Sequence, residues 1–582
     1  MKYYWKYIKP YILFFVLGPL LMLTEVAGEI VLPKIMGIMI DNGIGDAAAG
    51  FGIEYILSRA AMMIGFICLM IAGGVGGHYF SIKAAVNFSS DLRQGVFEKV
   101  QKFSFKNIDN FSTGSLVTRL TNDITQIQNM VRMLLIMAMR APGMLIGGII
   151  MACSINLELA GVLIIIIPVL AVVIGLLLKT AFPRFGIMQK KLDNLNSGIQ
   201  ENITNVRVIK SFVRQKFETE KFKNANDDLM NSTLRALKIV VTTMPVMTLA
   251  MNITTLVIVW IGGNFVVSET MEVGELVAFT TYITQILMSL MMVSMLFLQL
   301  SRALASSARV KEILSTEVDL TDDKSANKDK VVTEGRIEFK NVYFKYYEKR
   351  KENVLENISF TVEPGEIVGI IGTTGSGKSS IVQLIPRLYD VTKGKVLVDG
   401  VDVREYGLRN LRDGVGMVLQ KNVLFSGSIE DNLRWGDENA TEEEIRAAAD
   451  AAQADGFITS FNDGYDMELG QGGVNVSGGQ KQRICIARAL LKKPKILILD
   501  DSTSAVDTAT EARIREAFST SLKGSTKIII AQRISSVIDA DKIIVLEDGK
   551  IAGIGNHSQL MESCGEYRDI YYSQIDKEKE VG

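Results

Sequence analysis

The sequence has almost no net charge and few residues suited to disulfides or metal sites. Among its 582 residues, Lys and Arg number 63 and Asp and Glu number 64, which gives a formal net charge of −1. Because no basic face and no Lys/Arg-rich tail are present, we expect no nucleic-acid partner. The four cysteines, Cys68, Cys153, Cys485 and Cys564, show neither metal-ligand spacing nor a paired pattern, which favours a reducing compartment.

Apolar residues, in contrast, are abundant and unevenly distributed. They make up 48% of the chain, Met alone occurs 26 times, and the excess lies before about residue 310. A length of 582 residues also predicts at least two domains. Helices of about 20 apolar residues cross a bilayer, whereas buried core helices of that length usually keep a polar face. The sequence therefore predicts six transmembrane helices, at residues 11–40, 60–80, 133–154, 159–178, 239–267 and 276–300.

Charge on the two sides of the first span predicts its orientation. Lys2, Lys6 and Lys9 precede the span, whereas Asp41 follows it and the next basic residue is Arg59. Positive charge favours the cytoplasmic side of a membrane. The N-terminus is therefore predicted to be cytoplasmic and, after an even number of crossings, so is the C-terminal half.

The polar connections after the second and fourth spans are long. Residues 83–129 and 179–238 combine charge with regularly spaced apolar positions, which predicts helices that continue well beyond the membrane. A charged, glycine-free segment at residues 316–333 then precedes sequence of ordinary α/β composition. We therefore predict a transmembrane domain at residues 1–315, a linker at 316–333 and a second domain at 334–582.

A phosphate-binding loop lies near the start of the second domain. The apolar run at residues 367–371 predicts a buried strand, which leads directly into Gly372-Thr-Thr-Gly-Ser-Gly-Lys378-Ser379 and a segment with helical spacing. Glycines let backbone N–H groups approach the phosphates, Lys378 reaches the terminal phosphates, and Ser379 offers a hydroxyl to Mg²⁺. The predicted nucleotide-binding residues of this loop are Gly372, Thr373, Thr374, Gly375, Ser376, Gly377, Lys378, Ser379 and Ser380.

A second apolar run, at residues 496–499, ends in Asp500. A central parallel strand of this kind delivers a carboxylate to Mg²⁺ at its carboxyl end, so Asp500 is a predicted metal ligand together with Ser379. The pattern is weak alone but specific when it follows a phosphate loop. The two features together predict ATP and Mg²⁺ as cofactors.

Between these features lies Ser477-Gly478-Gly479-Gln480, followed by a helix-compatible segment that ends before Pro494. This stretch resembles the signature of ATP-binding cassette (ABC) proteins, and nearly the whole chain resembles a half-transporter of the exporter type. The resemblance implies a multidomain fold. A six-helix α transmembrane domain with long cytoplasmic helical extensions would be followed by an α/β P-loop nucleotide-binding domain.

The resemblance also implies roles for particular residues. Tyr346 matches the aromatic residue that stacks on adenine, and Gln420 matches the glutamine that contacts Mg²⁺ and relays nucleotide state. Two cassettes close head to tail in this family, so the segment Ser477 to Gln480 of one chain completes the phosphate loop of the other. Asp507 matches an aspartate at that dimer contact. A dimer in the cell membrane, with its cassettes in the cytoplasm, is therefore implied.

Two positions depart from the family pattern. The family usually has Glu after the metal-binding Asp, but this chain has Asp501, whose carboxylate is one methylene shorter. A shift of about 1 Å away from an in-line water can cost on the order of 100-fold in rate. The family also has a histidine where this chain has Gln532, which can hydrogen-bond a phosphate but carries no proton at physiological pH. Asp501 and Gln532 are therefore the catalytic positions of a site predicted to hold ATP more than it hydrolyses it.

These features predict one half of a heterodimeric ATP-driven exporter. This chain would carry the degenerate ATP site, while its intact signature completes a competent site on the partner. The cargo would be small and amphipathic, such as a drug, a lipid or a peptide. Two alternatives remain: a homodimeric lipid flippase or exporter with slow hydrolysis, and a nucleotide-gated regulatory membrane protein.

Two carboxylates lie inside the first predicted span. Glu25 and Glu29 are four residues apart and share one helical face, where an isolated ionised carboxylate is costly. They could pair structurally, for instance with Arg140 in the third span, or they could bind a cationic cargo. The sequence favours neither alternative.

Two polar segments resemble the intracellular connections of the family. They are residues 111–115 with Arg119 and Asp123, and residues 205–212. In the family such turns rest on the nucleotide-binding domains, and the second often reaches that of the partner. We expect the same contacts here.

Overall fold

The computed structural model describes residues 2–45, 52–321, 329–347, 352–501 and 508–581. The chain divides into two compact units, Met1–Gln101 with Thr113–Thr316, and Lys102–Ser112 with Glu317–Gly582. We call them the helical unit and the α/β unit. The predicted fold class, a helical domain followed by an α/β domain, is confirmed.

Long helices dominate the first 315 residues because apolar sequence there is rarely interrupted by turn residues. Apart from Tyr11, all six predicted spans lie within these helices. Helices α3, α7 and α9 are 50, 48 and 53 residues long and extend beyond the spans into the polar connections. The helices are α1 (Lys2–Ile8), α2 (Ile12–Ile40), α3 (Gly52–Gln101), α4 (Phe105–Asp109), α5 (Thr113–Thr118), α6 (Ile124–Ile155), α7 (Leu157–Thr204), α8 (Val206–Ser211), α9 (Gln215–Val267) and α10 (Val273–Ser315).

Five helical stretches in the described residues are long and apolar enough to cross a membrane. The fourth predicted span lies in α7, where the described apolar stretch, Leu157–Leu170, is shorter than a full crossing. The five stretches are Tyr3–Gly43, Gly52–Gln101, Thr113–Ile155, Thr248–Val267 and Val273–Val293.

Helix α2 is tied to α10 at a proline. Pro33 lacks a backbone N–H, and its ring displaces the carbonyls one turn earlier from their usual partners. Side chains of α10 replace these partners: Gln285 Nε2 donates to the carbonyl of Glu29 at 2.9 Å, and the Tyr282 hydroxyl donates to that of Ile30 at 2.7 Å. Two carbonyls of α2 near Pro33 are therefore hydrogen-bonded by side chains of α10.

A charged cluster joins α2 to α6 close to this proline. Arg140 Nη1 lies 3.0 Å from Glu25 Oε1, and Arg140 Nη2 lies 2.6 Å from Glu29 Oε1. The side chains of Arg140, Glu25 and Glu29 are 22%, 15% and 21% exposed. The structural pairing, one of the two alternatives raised by the sequence, is therefore present. Two carboxylates and one guanidinium leave the cluster with a formal charge of −1, and its capacity to bind a cationic cargo stays a prediction.

The α/β unit is built on one six-stranded and one four-stranded sheet. The six-stranded order is β12-β11-β3-β10-β9-β6, parallel except for β12, and the antiparallel order is β2-β1-β4-β5. The strands are β1 (Ile337–Phe344), β2 (Leu355–Val362), β3 (Ile367–Gly372), β4 (Lys393–Val398), β5 (Val401–Asp402), β6 (Val415–Val418), β7 (Gly427–Ser428), β8 (Glu468–Leu469), β9 (Ile496–Asp500), β10 (Thr526–Ile530), β11 (Lys542–Glu547) and β12 (Lys550–Gly555).

Both strands that the apolar runs predicted are present, as β3 and β9. Every residue of β9 is buried, as expected for a central parallel strand covered on both faces. Besides α4, the helices of this unit are α11 (Lys378–Leu384), α12 (Leu408–Asp413), α13 (Ile429–Arg434), α14 (Glu442–Ala451), α15 (Asp455–Ile458), α16 (Gly478–Leu491), α17 (Thr508–Ser521), α18 (His557–Ser563) and α19 (Gly565–Val581).

Candidate nucleotide site

Three neighbouring parallel strands end at one edge of the six-stranded sheet. Ile530 of β10 pairs with Ile370 of β3 on one side and with Asp500 of β9 on the other. The phosphate loop follows β3, Asp501 follows β9 and Gln532 follows β10. Because the carboxyl ends of parallel strands meet at the same edge, the segments singled out in the sequence converge there.

The phosphate loop depends on glycine at two turns. Gly375 and Gly377 have φ angles of 89° and 95°, in the left-handed region that other residues rarely adopt. A Cβ added to Gly377 would also lie 2.7 Å from Leu355 Cδ2. Thr373 and Thr374 are exposed beside these glycines, whereas the side chains of Ser376 and Ser380 are buried.

Lys378 starts α11 and folds back over the loop. Its Nζ donates to the carbonyls of Gly372 at 2.9 Å and Thr373 at 2.8 Å. Burial lowers the pKa of the Lys378 ammonium, while the carboxylates of Asp501 and Asp500 oppose that shift. The lysine charge is thus held between the loop and the two carboxylates.

Asp500 and Ser379 supply a donor set suited to Mg²⁺. Ser379 Oγ donates to Asp500 Oδ1 at 2.9 Å, and Asp500 is 3% exposed. Burial raises the pKa of Asp500, the bond from Ser379 lowers it, and Asp501 raises it. Mg²⁺ takes hard oxygen ligands and usually keeps waters and phosphate oxygens beside one or two carboxylates. Within the described ranges no group of three or more His, Cys, Asp or Glu could hold a metal.

Asp501, Gln532 and Gln420 lie together. Gln532 Nε2 donates to Asp501 Oδ2 at 2.8 Å, and the Gln420 side chain also hydrogen-bonds the Asp501 carboxylate. Burial raises the pKa of Asp501, and the two amides oppose that shift. The Asp501 N–H donates to the carbonyl of Ile530 at 3.0 Å, and its φ of 49° is left-handed, a conformation that Asp tolerates better than most residues.

Tyr346 follows β1 and is held beside the helix after the phosphate loop. Its hydroxyl lies 2.8 Å from Ser380 Oγ and donates to Gln383 Oε1 at 3.2 Å. Its ring meets that of Tyr389 nearly at a right angle, with centroids 5.1 Å apart. The aromatic residue expected to stack on adenine therefore lies against the helix that follows the phosphate loop.

The signature segment caps α16. Ser477 Oγ accepts from the Gln480 N–H at 3.3 Å, and Gln480 Oε1 accepts from the Ser477 N–H at 2.9 Å. Ser477 and Gly478 are exposed, and a Cβ added to Gly478 would meet nothing within 4 Å. In this part of the described chain the hydrogen bonds of Ser477 to Gln480, Gly479 included, stay within the cap and its helix. The predicted contact residue Asp507 lies outside the described residues.

The segment at residues 102–112 belongs to the α/β unit, and sequence reasoning had singled out only its last two residues, 111 and 112. The Tyr389 hydroxyl donates to Asp109 Oδ2 at 2.8 Å, and the rings of Phe105 and Tyr389 lie 6.0 Å apart. Ser104 and Asn107 form a capping box at the start of α4. That Ser-x-x-Asn spacing is the sequence signal that could have located the helix.

The residues that the sequence assigned to the first intracellular connection lie partly elsewhere. Arg119 and Asp123 belong to a π-helical turn, Arg119–Asp123, in the helical unit. Arg119 Nη1 lies 2.8 Å from Glu312 Oε2, and Arg309 Nε donates to Asp123 Oδ2 at 2.7 Å. Their charges are therefore matched by α10. The second connection, residues 205–212, contains α8, and Phe212, which follows that helix, is 74% exposed.

Comparisons with known proteins cover both units. Residues 13–290 match a family model described as the ABC transporter transmembrane region, and residues 355–504 match one described as ABC transporter. The chain is 41% identical to the uncharacterized ABC transporter ATP-binding protein YfiB of Bacillus subtilis, over 98% of both proteins.

Two further likenesses concern export. The putative multidrug export ATP-binding/permease protein YgaD of Bacillus subtilis is 35% identical, over 99% of both proteins. A solved structure of a bacterial Atm1-family ABC exporter with ATP bound matches with a TM-score of 0.79 and 26% identity, over 98% of both chains.

Proposed function

The chain belongs to the ABC transporter family, and from that premise we propose that it is one half of a heterodimeric exporter whose own ATP site holds nucleotide more than it hydrolyses it. As an ABC exporter it binds ATP, and ATP hydrolysis is coupled to transport across the cell membrane. The proposal adds the kind of partner, the division of labour and the cargo class. It places the transmembrane domain at residues 1–315, the linker at 316–333 and the nucleotide-binding domain at 334–582.

The observation that carries the proposal is the contact of 2.8 Å between Gln532 Nε2 and Asp501 Oδ2. A carboxylate that accepts hydrogen bonds from this amide and from Gln420 has less capacity to polarise an attacking water. The amide of Gln532 transfers no proton near neutral pH. Both side chains still offer polar contacts to a nucleotide and its metal ion. The pair is thus suited to retention of ATP.

The signature supports a division of labour between two chains. Ser477 and Gly478 are exposed at the start of α16, where the capping box takes the N–H groups of Ser477 and Gln480. The N–H groups of Gly478 and Gly479 precede the first hydrogen bond of the helix. Such groups suit a phosphate held mainly by another chain. This chain therefore offers an intact signature while carrying a weakened hydrolytic position. A partner that supplies Glu at the position of Asp501 would complete one competent site.

We propose a small amphipathic cargo, because the related YgaD protein is described as a putative multidrug exporter. An apolar cavity of about 680 Å³ in the helical unit supports this cargo class. Its volume falls in the range typical of small-molecule sites. Tyr4, Trp5, Phe88, Met130 and Leu304 are among the residues that line it.

The test compares ATP hydrolysis by the full-length chain alone with hydrolysis by its complex with a partner that carries Glu at the position of Asp501. We expect the chain alone to reach on the order of 1% of the complex's rate, from the cost of a displaced carboxylate. In the complex, Asp501→Ala should change turnover less than about twofold, whereas loss of the partner's Glu should lower it about 100-fold. Asp463→Ala, which removes the carboxylate of an exposed Asp, is the control.

Two outcomes would contradict the division of labour. Rapid hydrolysis by the chain alone would indicate a homodimer with two working sites, and equal losses from Asp501→Ala and from the partner variant would indicate equivalent sites. Cargo uptake into inverted vesicles tests export separately. ATP binding without ATP-dependent uptake would instead favour a nucleotide-gated regulatory protein.

A further inference from the structure

The C-terminal helix α19 places one polar residue on an otherwise apolar face. Tyr567, Ile570, Tyr571 and Gln574 follow one another at spacings of three and four residues, so they share one side of the helix. Tyr567 is fully buried, and Ile570 and Tyr571 pack against the same core cluster, which includes Ile534. A glutamine on such a face needs a specific polar partner.

Gln574 finds that partner in the backbone after β10. Its Nε2 donates to the carbonyl of Gln532 at 2.8 Å, and its Oε1 accepts from the N–H of Ile534 at 2.9 Å. Strand β10 ends at Ile530, so these backbone groups lie beyond the sheet ladder. The amide supplies a donor and an acceptor from one planar group, whereas a carboxylate only accepts and an ammonium only donates. The residue type therefore matches the place.

Gln532 is consequently held at two points. Its backbone is fixed by Gln574, and its side-chain amide reaches Asp501 at 2.8 Å. The core contacts of α19 hold Gln574 in turn, because Tyr567 is buried two helical turns earlier and its hydroxyl lies 2.8 Å from His557 Nδ1. A continuous set of contacts thus runs from the C-terminal helix to the catalytic position.

We propose that Gln574 is a positioning residue for the nucleotide site: it fixes the backbone of Gln532 so that the amide stays on Asp501, and it thereby prolongs the retention of ATP by this chain. Gln574 acts through Gln532. The inference rests on ATP binding by this chain's own phosphate loop, which a homodimer and a heterodimer share. Failure of the heterodimer proposal would therefore leave it standing.

The experiment measures ATP retention on each chain of the full-length dimer. The protein is loaded with Mg²⁺ and radiolabelled 8-azido-ATP, chased with unlabelled ATP for increasing times, and irradiated, and the chains are separated on a gel. In Gln574→Leu, which keeps the size but loses both hydrogen bonds, label on this chain should be lost about tenfold faster. Ser573→Ala, one residue away on the same helix, should behave like the wild type.

A double-mutant cycle separates positioning from general stability. If Gln574 acts through Gln532, Gln574→Leu should add less than about twofold to the loss already caused by Gln532→Ala. A full additional tenfold effect in that background would overturn the proposal, because Gln574 would then act elsewhere. Equal retention by Gln574→Leu and the wild type would also overturn it.

A second variant keeps the test readable if Gln574→Leu does not assemble. Gln574→Glu keeps the acceptor for the Ile534 N–H but loses the donor to the Gln532 carbonyl. We expect faster label loss on this chain and unchanged loss on the partner chain. Unchanged loss on the chain that carries the variant would contradict a local positioning role, as would equal acceleration on a partner chain that keeps its own sequence. In a homodimer both chains carry the variant, and faster loss of the total label is the expected result.

Discussion

Removal of Arg140 should destabilise the helical unit far more than removal of the whole charged cluster. Arg140 contacts Glu25 at 3.0 Å and Glu29 at 2.6 Å, and all three side chains are at most 22% exposed. Arg140→Met would change the formal charge of the cluster from −1 to −2 inside a largely apolar bundle. Breaking a buried pair by removing one partner typically costs about 3–5 kcal/mol.

Neutral replacement of the cluster should have the opposite consequence. Glu25→Gln leaves one carboxylate and one guanidinium and brings the formal charge to zero. The triple variant Glu25→Gln, Glu29→Gln, Arg140→Met removes every charge while roughly keeping the side-chain volumes. Replacing buried ion pairs by neutral groups of similar volume is often neutral or stabilising. We therefore expect a large loss in Arg140→Met and recovery in the triple variant.

The assay is the thermal unfolding of the full-length protein in detergent, followed by the loss of monodisperse protein. Folding units somewhat smaller than this one lower their unfolding midpoint by about 2–4 °C for each kcal/mol of stability lost. A loss of about 3–5 kcal/mol therefore corresponds to a midpoint lower by roughly 6–20 °C. Glu25→Gln should shift the midpoint by only a few degrees. If the triple variant were as unstable as Arg140→Met, the loss would come from packing and the electrostatic reasoning would be refuted.

Three further outcomes concern the α/β unit. Burial raises the pKa of Asp500, so its ionised form costs stability, and this cost appears as pH rises through the raised pKa. Asp500→Asn should therefore raise the unfolding temperature of the nucleotide-free protein at neutral pH, and the difference from the wild type should disappear in acid. The variant should also no longer be stabilised by Mg²⁺ and ATP. An unfolding temperature below that of the wild type at neutral pH would contradict the reasoning. Tyr389→Phe removes the hydrogen bond from the hydroxyl to Asp109 but keeps the ring. Basal ATP hydrolysis should persist, while the stimulation of hydrolysis by cargo should fall. Equal losses of basal and stimulated hydrolysis would indicate a general folding defect instead. Asp501→Glu combined with Gln532→His should raise hydrolysis at this chain's site by up to about 100-fold, measured in a complex whose partner has lost its Glu. No increase would mean that these two positions do not limit the reaction.

The phosphate loop and its flanking strands could be predicted because their signals are local. Residues 367–371 are a continuous apolar run that enters a glycine-rich turn, and they form most of β3. The apolar residues 496–499 are followed by Asp500, and together they form β9. The long apolar segments were equally informative, because a run longer than a core helix needs, without a polar face, predicts a membrane span.

The contacts within the site could not be predicted, because they join distant parts of the chain. Asp501 and Gln532 follow different strands, and only the sheet register places them within 2.8 Å. Gln574 lies 42 residues after Gln532 on a separate helix. The contact between Asp109 and Tyr389 spans 280 residues. Arg119 and Asp123, which the sequence assigned to the first intracellular connection, instead pair with residues of α10.

The left-handed backbone at Asp501 has a consequence for the history of the site. A φ of 49° disfavours most L-residues by roughly 1–2 kcal/mol, and Asp tolerates this conformation better than most residues. Asp is thus less strained than Glu at this turn, whatever its effect on hydrolysis. In a lineage that had replaced Glu by Asp here, the backbone strain at this position would be lower, and the reverse replacement would raise it again. Asp at this turn is therefore easier to keep than to replace by Glu.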